Sequence, residues 1–303
     1  MTVPVIRSLT RSDAHLFDSL QGRTLVGRAA FGHRYATVHE GGEYRPEWTW
    51  VALRDGVVVA RAAWWGGPKD TEPVLLNHFD FAEGEDAAGT ELLRRAPWSV
   101  EYELIVPPNW RDIREVRAAA SARIAAAQAA GMEPLVERYR YEWTPADGLP
   151  ERPGRLEFRQ EPDDAVILDV LRRVHSQTLD AHALRAIEGP GGLEQAAQEE
   201  LDFFNWCPSP RSWWQLAHTP DGGLVGIHVP ARNPGGPCIG FIGVVPEARG
   251  HGYGYDLLVE CTRFLAGEGA TAVAGATDRG NVPMAAAFAR AGHRITQERV
   301  HLV

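Results

Sequence analysis

The run Cys238-Ile-Gly-Phe-Ile-Gly-Val-Val-Pro246-Glu-Ala-Arg249-Gly-His-Gly252-Tyr-Gly254-Tyr-Asp-Leu-Leu258 constrains this chain more than any other stretch. An apolar segment ends at a proline and a glycine-rich stretch follows. Then Leu257, Leu258, Cys261, Phe264 and Leu265 recur at helical spacing. The pattern predicts a strand, a tight loop and a helix. Gly250, Gly252 and Gly254 remove side chains where backbone N–H groups must approach a ligand closely. The first N–H groups of a helix have no intrahelical partner and lie at the positive end of its dipole. The loop is therefore expected to bind an anion such as a phosphate or pyrophosphate, with Arg249 as a cation at its mouth.

Two other glycine loops are excluded. A dinucleotide fingerprint needs a third glycine where Tyr255 stands, and a P-loop needs a lysine that this run lacks. What remains, Arg249-x-x-Gly252-x-Gly254, resembles the acyl-CoA pyrophosphate loop of the GCN5-related N-acetyltransferases. A second segment, Ala272 to His293, is similar to that family's strand followed by Asn-x-x-Ala on a helix, with Asn281 and Gly292 in the matching places. Phe288 stands where many members carry a tyrosine general acid.

The resemblance implies a donor site for acetyl-CoA (or another acyl-CoA) as co-substrate, with no metal. Val244 and Val245 are expected to pair with pantetheine and to polarise the thioester carbonyl through a backbone N–H. Asn281 would bond the pantetheine arm, and Phe288 would lie beside it. Arg249, Gly250, His251, Gly252, Tyr253 and Gly254 would hold the pyrophosphate. The strand before the loop, Ile239-Gly-Phe-Ile-Gly, lacks the glutamate that many members use as general base. The candidates for that role are Asp278 at a strand end, His228 on the neighbouring strand, Glu199 or Glu200 on a helix, and His182 in a loop.

The same element order is read twice along the 303 residues, at a period of about 150. A strand at Val5, a hairpin over Trp48–Trp65, a strand at Val74–Phe81, a helix at Ala87–Ala96, a strand at Val100–Val106, a helix at Asp112–Ala130 and a strand at Leu135–Trp143 form the first set. Ser12 is read as a helix N-cap. A stretch with three prolines and two glycines, Thr144–Gly154, reads as a linker. The second set begins at Leu156, with helices over Asp164–Leu179 and Leu193–Trp206. Around Phe81–Gly89 the first half offers acidic residues in place of the arginine loop, and carboxylates there repel a pyrophosphate.

The expected fold is α/β (α+β): two tandem acetyltransferase-like domains, each a mixed, mostly antiparallel twisted sheet flanked by helices. Residues 1–145 form a degenerate domain without the CoA loop, 146–154 the linker and 155–303 the catalytic domain. The arrangement resembles tandem acetyltransferases such as mycothiol synthase.

Composition narrows the function. A net charge of −9 disfavours broad nucleic-acid or anionic-membrane binding, although a local basic groove for tRNA stays open. Three scattered cysteines and no apolar run of spanning length fit a cytoplasmic protein without disulfides. The function expected is transfer of an acetyl group from acetyl-CoA to an amine of a small molecule, an antibiotic or secondary metabolite, by a monomer or homodimer. Two alternatives are a transferase of the same fold using a longer acyl-CoA or an aminoacyl-tRNA, and a non-catalytic acyl-CoA sensor.

Overall fold

A computed structural model describes residues 2–303. In chain order the elements are β1 (Val5–Ser8), β2 (Thr49–Arg54), β3 (Val57–Trp65), β4 (Leu75–Phe81), α1 (Asp86–Arg95), β5 (Glu101–Val106), α2 (Arg114–Ala129) and β6 (Pro134–Trp143). Then follow β7 (Glu157–Gln160), α3 (Asp164–His175), α4 (Ala181–Glu188), α5 (Gly192–Trp206), β8 (Gln215–His218), β9 (Leu224–Asn233) and β10 (Gly236–Val244). The chain ends with α6 (Tyr253–Gly267), β11 (Val273–Asp278), α7 (Val282–Arg290) and β12 (Arg294–Leu302). Short 3₁₀ turns fill several connections, including Ala14–Ser19, where the sequence suggests a helix capped by Ser12. There Asp13, not Ser12, accepts from a backbone amide, that of Thr10 at 2.6 Å.

Two compact units form. The first runs to Glu137 and adds Gln297–Val303; the second is Arg138–Thr296. The strand order of the first unit is β1-β2-β3-β4-β5-β12, and that of the second is β6-β11-β10-β9-β8-β7. The boundary expected at 145–155 follows chain order, whereas these sheets do not. Most of β6 lies beside β11, with Val273 opposite Trp143 and Asp278 opposite Arg138. Most of β12 lies beside β5, with Glu298 opposite Val106 and Leu302 opposite Tyr102. The final strand of each sequence half thus completes the other unit's sheet. Alternation within a strand says which face is inward but does not name the partner strand.

Within each unit one pair of strands is parallel, β4 with β5 and β10 with β11; the other pairings are antiparallel. The first unit's core gathers Trp64, Leu76, Phe79, Leu92, Tyr102 and Leu104 between its sheet and α1 and α2. In the second, α3 contributes Ile167, Leu171 and Val174, and α5 contributes Ala197, Leu201 and Phe204. These recur at three- and four-residue spacing, so each helix buries one stripe. Asp163 starts α3 by accepting from Ala165 N–H at 2.8 Å, and Asp180 starts α4 by accepting from Ala183 N–H at 3.0 Å. The helix read over Asp164–Leu179 therefore ends at His175, and a short new helix puts His182 in its first turn rather than in a loop. No helix among the described residues is long and apolar enough to cross a membrane.

Candidate active site

The site begins where β10 and β11 part. These parallel strands share one register pair, Cys238 with Ala274, and then diverge. On its other edge β10 stays paired with β9, except for a bulge between Ile239 and Phe241. Gly240 occupies that bulge because a Cβ there would lie 2.8 Å from both Val229 O and the Ala231 methyl. The gap opens into a cleft of about 910 Å³ in the second unit, lined by the glycine loop together with Ile242, Val244, Asn281, Phe288, Glu200 and Phe203.

At one end the loop behaves as its glycines suggest. Gly250 and Gly252 have φ of +84° and +75°, values that only glycine adopts readily. Gly252 leads directly into α6, and Tyr255 N–H turns back to Gly252 O at 3.1 Å. The N–H groups of Tyr253 and Gly254 belong to the first turn, which helix geometry leaves without intrahelical acceptors. The place a Gly254 Cβ would take has nothing within 4 Å.

Arg249 lines the cleft and also has structural partners of its own. Its guanidinium donates to three backbone carbonyls: Val244 at 3.0 Å, Gln177 at 2.6 Å and Val174 at 2.9 Å. It ties the end of α3 to the loop with three of its five N–H donors, and its charge stays beside the cleft. Other cations flank the loop. Arg290 lies over the Tyr255 ring at 3.8 Å and lines the cleft. Arg155 donates to His251 O at 3.0 Å, pairs with Asp256 and lies over Tyr253 at 4.9 Å. Arg155 stands at the linker's end, where the sequence offers no signal linking it to a loop about a hundred residues away.

Just after β10, Val245 N–H donates to Val225 O at 3.0 Å and its side chain is fully buried. Val245 is therefore already paired across to β9. Successive strand N–H groups point to opposite edges, so that of Val244 faces the gap. Asn281 caps α7, its Oδ1 accepting from Met284 N–H at 3.3 Å, and it lines the cleft. Phe288 is 1% exposed and stacks on Tyr141 at 4.2 Å. A Cβ on Gly275 would meet its ring at 2.6 Å, so that glycine leaves the space the phenyl fills. Burial pushes the Tyr141 hydroxyl up to about 12, which disfavours its ionisation.

The expected bases fall in different places. His228 is fully buried, its Nε2 lies 2.9 Å from Gln215 Oε1, and burial lowers it to about 3. It serves as a neutral packing residue against Phe158, 5.0 Å away. Asp278 is 3% exposed, accepts from Ala181 N–H at 2.7 Å and lies 3.0 Å from Arg138 Nε. Burial raises its pKa, with Asp180 adding repulsion. Its carboxylate anchors the start of α4 to β6. Glu199 is exposed and bonded to Gln195 one turn earlier, at 2.6 Å. Among the described residues, none of these three lines the cleft.

Glu200 and His182 do line it. Glu200 lies three residues after Ala197 and one before Leu201, on the edge of the inward stripe of α5, while Glu199 falls outside that stripe. Its Oε2 is 3.9 Å from Nε2 of His175, the buried last residue of α3. Burial lowers the His175 pKa and raises that of Glu200 to about 8, with Asp180 adding to the rise and Arg138 opposing it.

The first unit has a different centre in the corresponding place. Where β4 and β5 part after two paired positions, Asp80 is held by Arg123 at 2.8 and 3.0 Å and by Arg61 at 3.3 Å. All three side chains are about nine-tenths buried. The turn after β4 ends at Glu85, bonded to Arg54 at 2.7 and 2.9 Å. Ion pairs and a carboxylate thus stand where the second unit has an open cleft and a glycine loop.

Comparison with known proteins agrees with this geometry. The family model for the acetyltransferase (GNAT) family matches residues 181–293. No curated protein matches the chain in sequence. Among solved structures, a GCN5-related N-acetyltransferase from Sphaerobacter thermophilus is similar over 99% of this chain and 94% of its own, at 17% identity and a TM-score of 0.58. A glucosamine N-acetyltransferase region of a fungal multi-domain β-N-acetylglucosaminidase aligns over 100% of this chain and 38% of that one, at 11% identity and a TM-score of 0.55. A tandem GNAT protein from the clavulanic acid biosynthesis pathway aligns over 99% and 97%, at 16% identity and a TM-score of 0.48. The whole chain has the fold of the GCN5-related N-acetyltransferases, and the segment 181–293, with its glycine loop and parted strands, matches the acetyltransferase (GNAT) family.

Proposed function

We propose that the second unit transfers an acetyl group from acetyl-CoA to a primary amine on a small molecule. The observation that carries this reading is the parting of β10 and β11 after one paired position, next to the glycine loop. A pantetheine arm extended in that gap supplies the amide groups that β10 lacks on its open edge. The pyrophosphate then lies at the start of α6, with Arg290 nearby. Asn281 is placed to bond the arm. The Val244 N–H donates to the thioester oxygen as it becomes an oxyanion, a contact that gains strength in the tetrahedral state.

The chemistry forms a C–N bond and breaks the C–S bond. The ammonium loses two protons in all, one of which ends on the CoA sulfur. Phe288 supplies no proton. A thiol of pKa near 8.5 is a tolerable leaving group without an acid. At the acceptor end Glu200 and His175 stand among Leu179, Phe203 and Phe241, which suits a small cationic amine with an apolar body.

Thermal-shift titration with acetyl-CoA of the native protein and of Gly254→Glu tests the donor site. The variant puts a carboxylate where the pyrophosphate would lie, at a position whose backbone and surroundings accept a side chain. The native protein is expected to gain about 2.7 kcal/mol at a hundredfold excess over the dissociation constant. The variant should keep its unliganded melting temperature and lose the gain. A native protein that shows no gain refutes the donor site.

A further inference from the structure

We infer that Glu200 is the catalytic residue that takes the proton from the acceptor ammonium, and that the acceptor is a primary amine on an aromatic or other apolar body. The inference rests on the acetyl-transfer reading. Three structural observations carry it. Glu200 opens onto the cleft, with a side chain 22% exposed. Among the described residues no arginine or lysine pairs with it within salt-bridge distance, whereas neighbouring Asp180 and Asp278 are both engaged by Arg138, at 3.2 and 3.0 Å. Its near neighbour, His175, is 3% exposed and has no hydrogen-bond partner on either ring nitrogen. A largely buried carboxylate without a paired cation is costly unless a ligand brings the countercharge.

The walls indicate what brings it. Phe203, Leu179, Phe241 on β10 and Cys238 line the same cleft as Glu200. Phe203 stacks at 6.2 Å on Trp206, which is 54% exposed, so an aromatic surface continues outward from the cleft. A small amine with a planar or apolar body covers these walls while its ammonium meets Glu200. The carboxylate accepts one proton from the ammonium, and the neutral nitrogen then attacks the thioester carbon. The second nitrogen proton leaves as the tetrahedral intermediate collapses, and the departing sulfur ends as a thiol. The remaining proton passes from Glu200 to solvent.

The charged and titratable groups around Glu200 are His175 of α3, Asp180 and His182 at the start of α4, Arg138 and Arg140 of β6, Cys207 after α5 and Cys238 of β10. Burial and Asp180 raise the carboxyl to about 8, against the pull of Arg138. That suits a base working near neutral pH.

The experiment measures acetyl transfer from acetyl-CoA to 2-phenylethylamine and a set of primary aryl-alkylamines across pH, for the native protein and Glu200→Gln. Acetyl-CoA binding by both proteins is followed by calorimetry. The variant keeps the size of the side chain and loses its basicity. It is expected to bind acetyl-CoA within threefold of the native protein, to lose on the order of 10²–10⁴ in kcat/KM, and to lose the limb by which kcat/KM rises with pH. Glu200→Gln that keeps its rate and its pH limb overturns the role of Glu200. A native protein that binds acetyl-CoA and acetylates none of these amines overturns the acceptor class. A native protein that does not bind acetyl-CoA refutes the donor reading itself, and this inference falls with it.

Discussion

Glu200 and Glu199 are adjacent in sequence and alike in chemistry, yet one lines the cleft and the other makes a solvent-side contact with Gln195. One helical step of 100° separates those fates. The same holds for Arg249, whose type suits a phosphate but which gives three of its five donors to backbone carbonyls. A side chain's chemistry is legible in a sequence; its partners are a matter of geometry. Glu200 also carries a pH signature. Its folded pKa is raised to about 8 by burial, above the ordinary 4.5. A raised carboxyl adds stability below the unfolded pKa, and that contribution is lost as pH climbs through the folded value. Between pH 4.5 and 8 the native protein should therefore lose stability relative to Glu200→Gln, by about 1–3 kcal/mol once solvent access is allowed for. Urea unfolding of both proteins at pH 5 and pH 8 checks this. A difference that does not change with pH contradicts it.

At the scale of elements, the cleft is built by two strands that stop pairing and by the glycines that permit close packing around them. Gly275 on β11 lies under the Phe288 ring of α7, and an added Cβ would meet it at 2.6 Å. Phe288 stacks on Tyr141 and cannot swing away freely. Gly275→Ala is therefore expected to destabilise the second unit by about 1–3 kcal/mol through overpacking. Phe288→Leu combined with it should recover part of that loss. A double-mutant cycle by urea denaturation measures the coupling, and strictly additive effects would mean that the two residues do not share the space. The strand-loop-helix order and the two left-handed glycines were legible in the sequence because they are local. The short helix at Ala181–Glu188 was not, because it depends on Asp180 capping it and on Asp278, about a hundred residues away, receiving Ala181 N–H.

For the whole molecule, the consequential fact is that each unit draws a strand from the other half of the sequence. The C-terminal segment Gln297–Val303 puts Val300 and Leu302 into the first unit's core beside β5. A chain ending at Thr296 should therefore lose cooperative unfolding of the first unit, although the missing residues lie some 190 positions from β5. Tryptophan fluorescence and near-ultraviolet circular dichroism during denaturation would report this. An unchanged first transition would show that β12 is dispensable.

The sequence by itself determined the local and the repeated: the glycine loop, its helix, the duplicated element order and the lack of such a loop in the first half. Each depends on spacing, backbone freedom or charge within a few residues. Only the tertiary structure decided which strands pair, which unit owns the last strand, which carboxylate faces the cleft and which arginine is tied up holding carbonyls. Those outcomes depend on contacts between residues far apart in the chain, where many partners fit a given pattern and packing selects one.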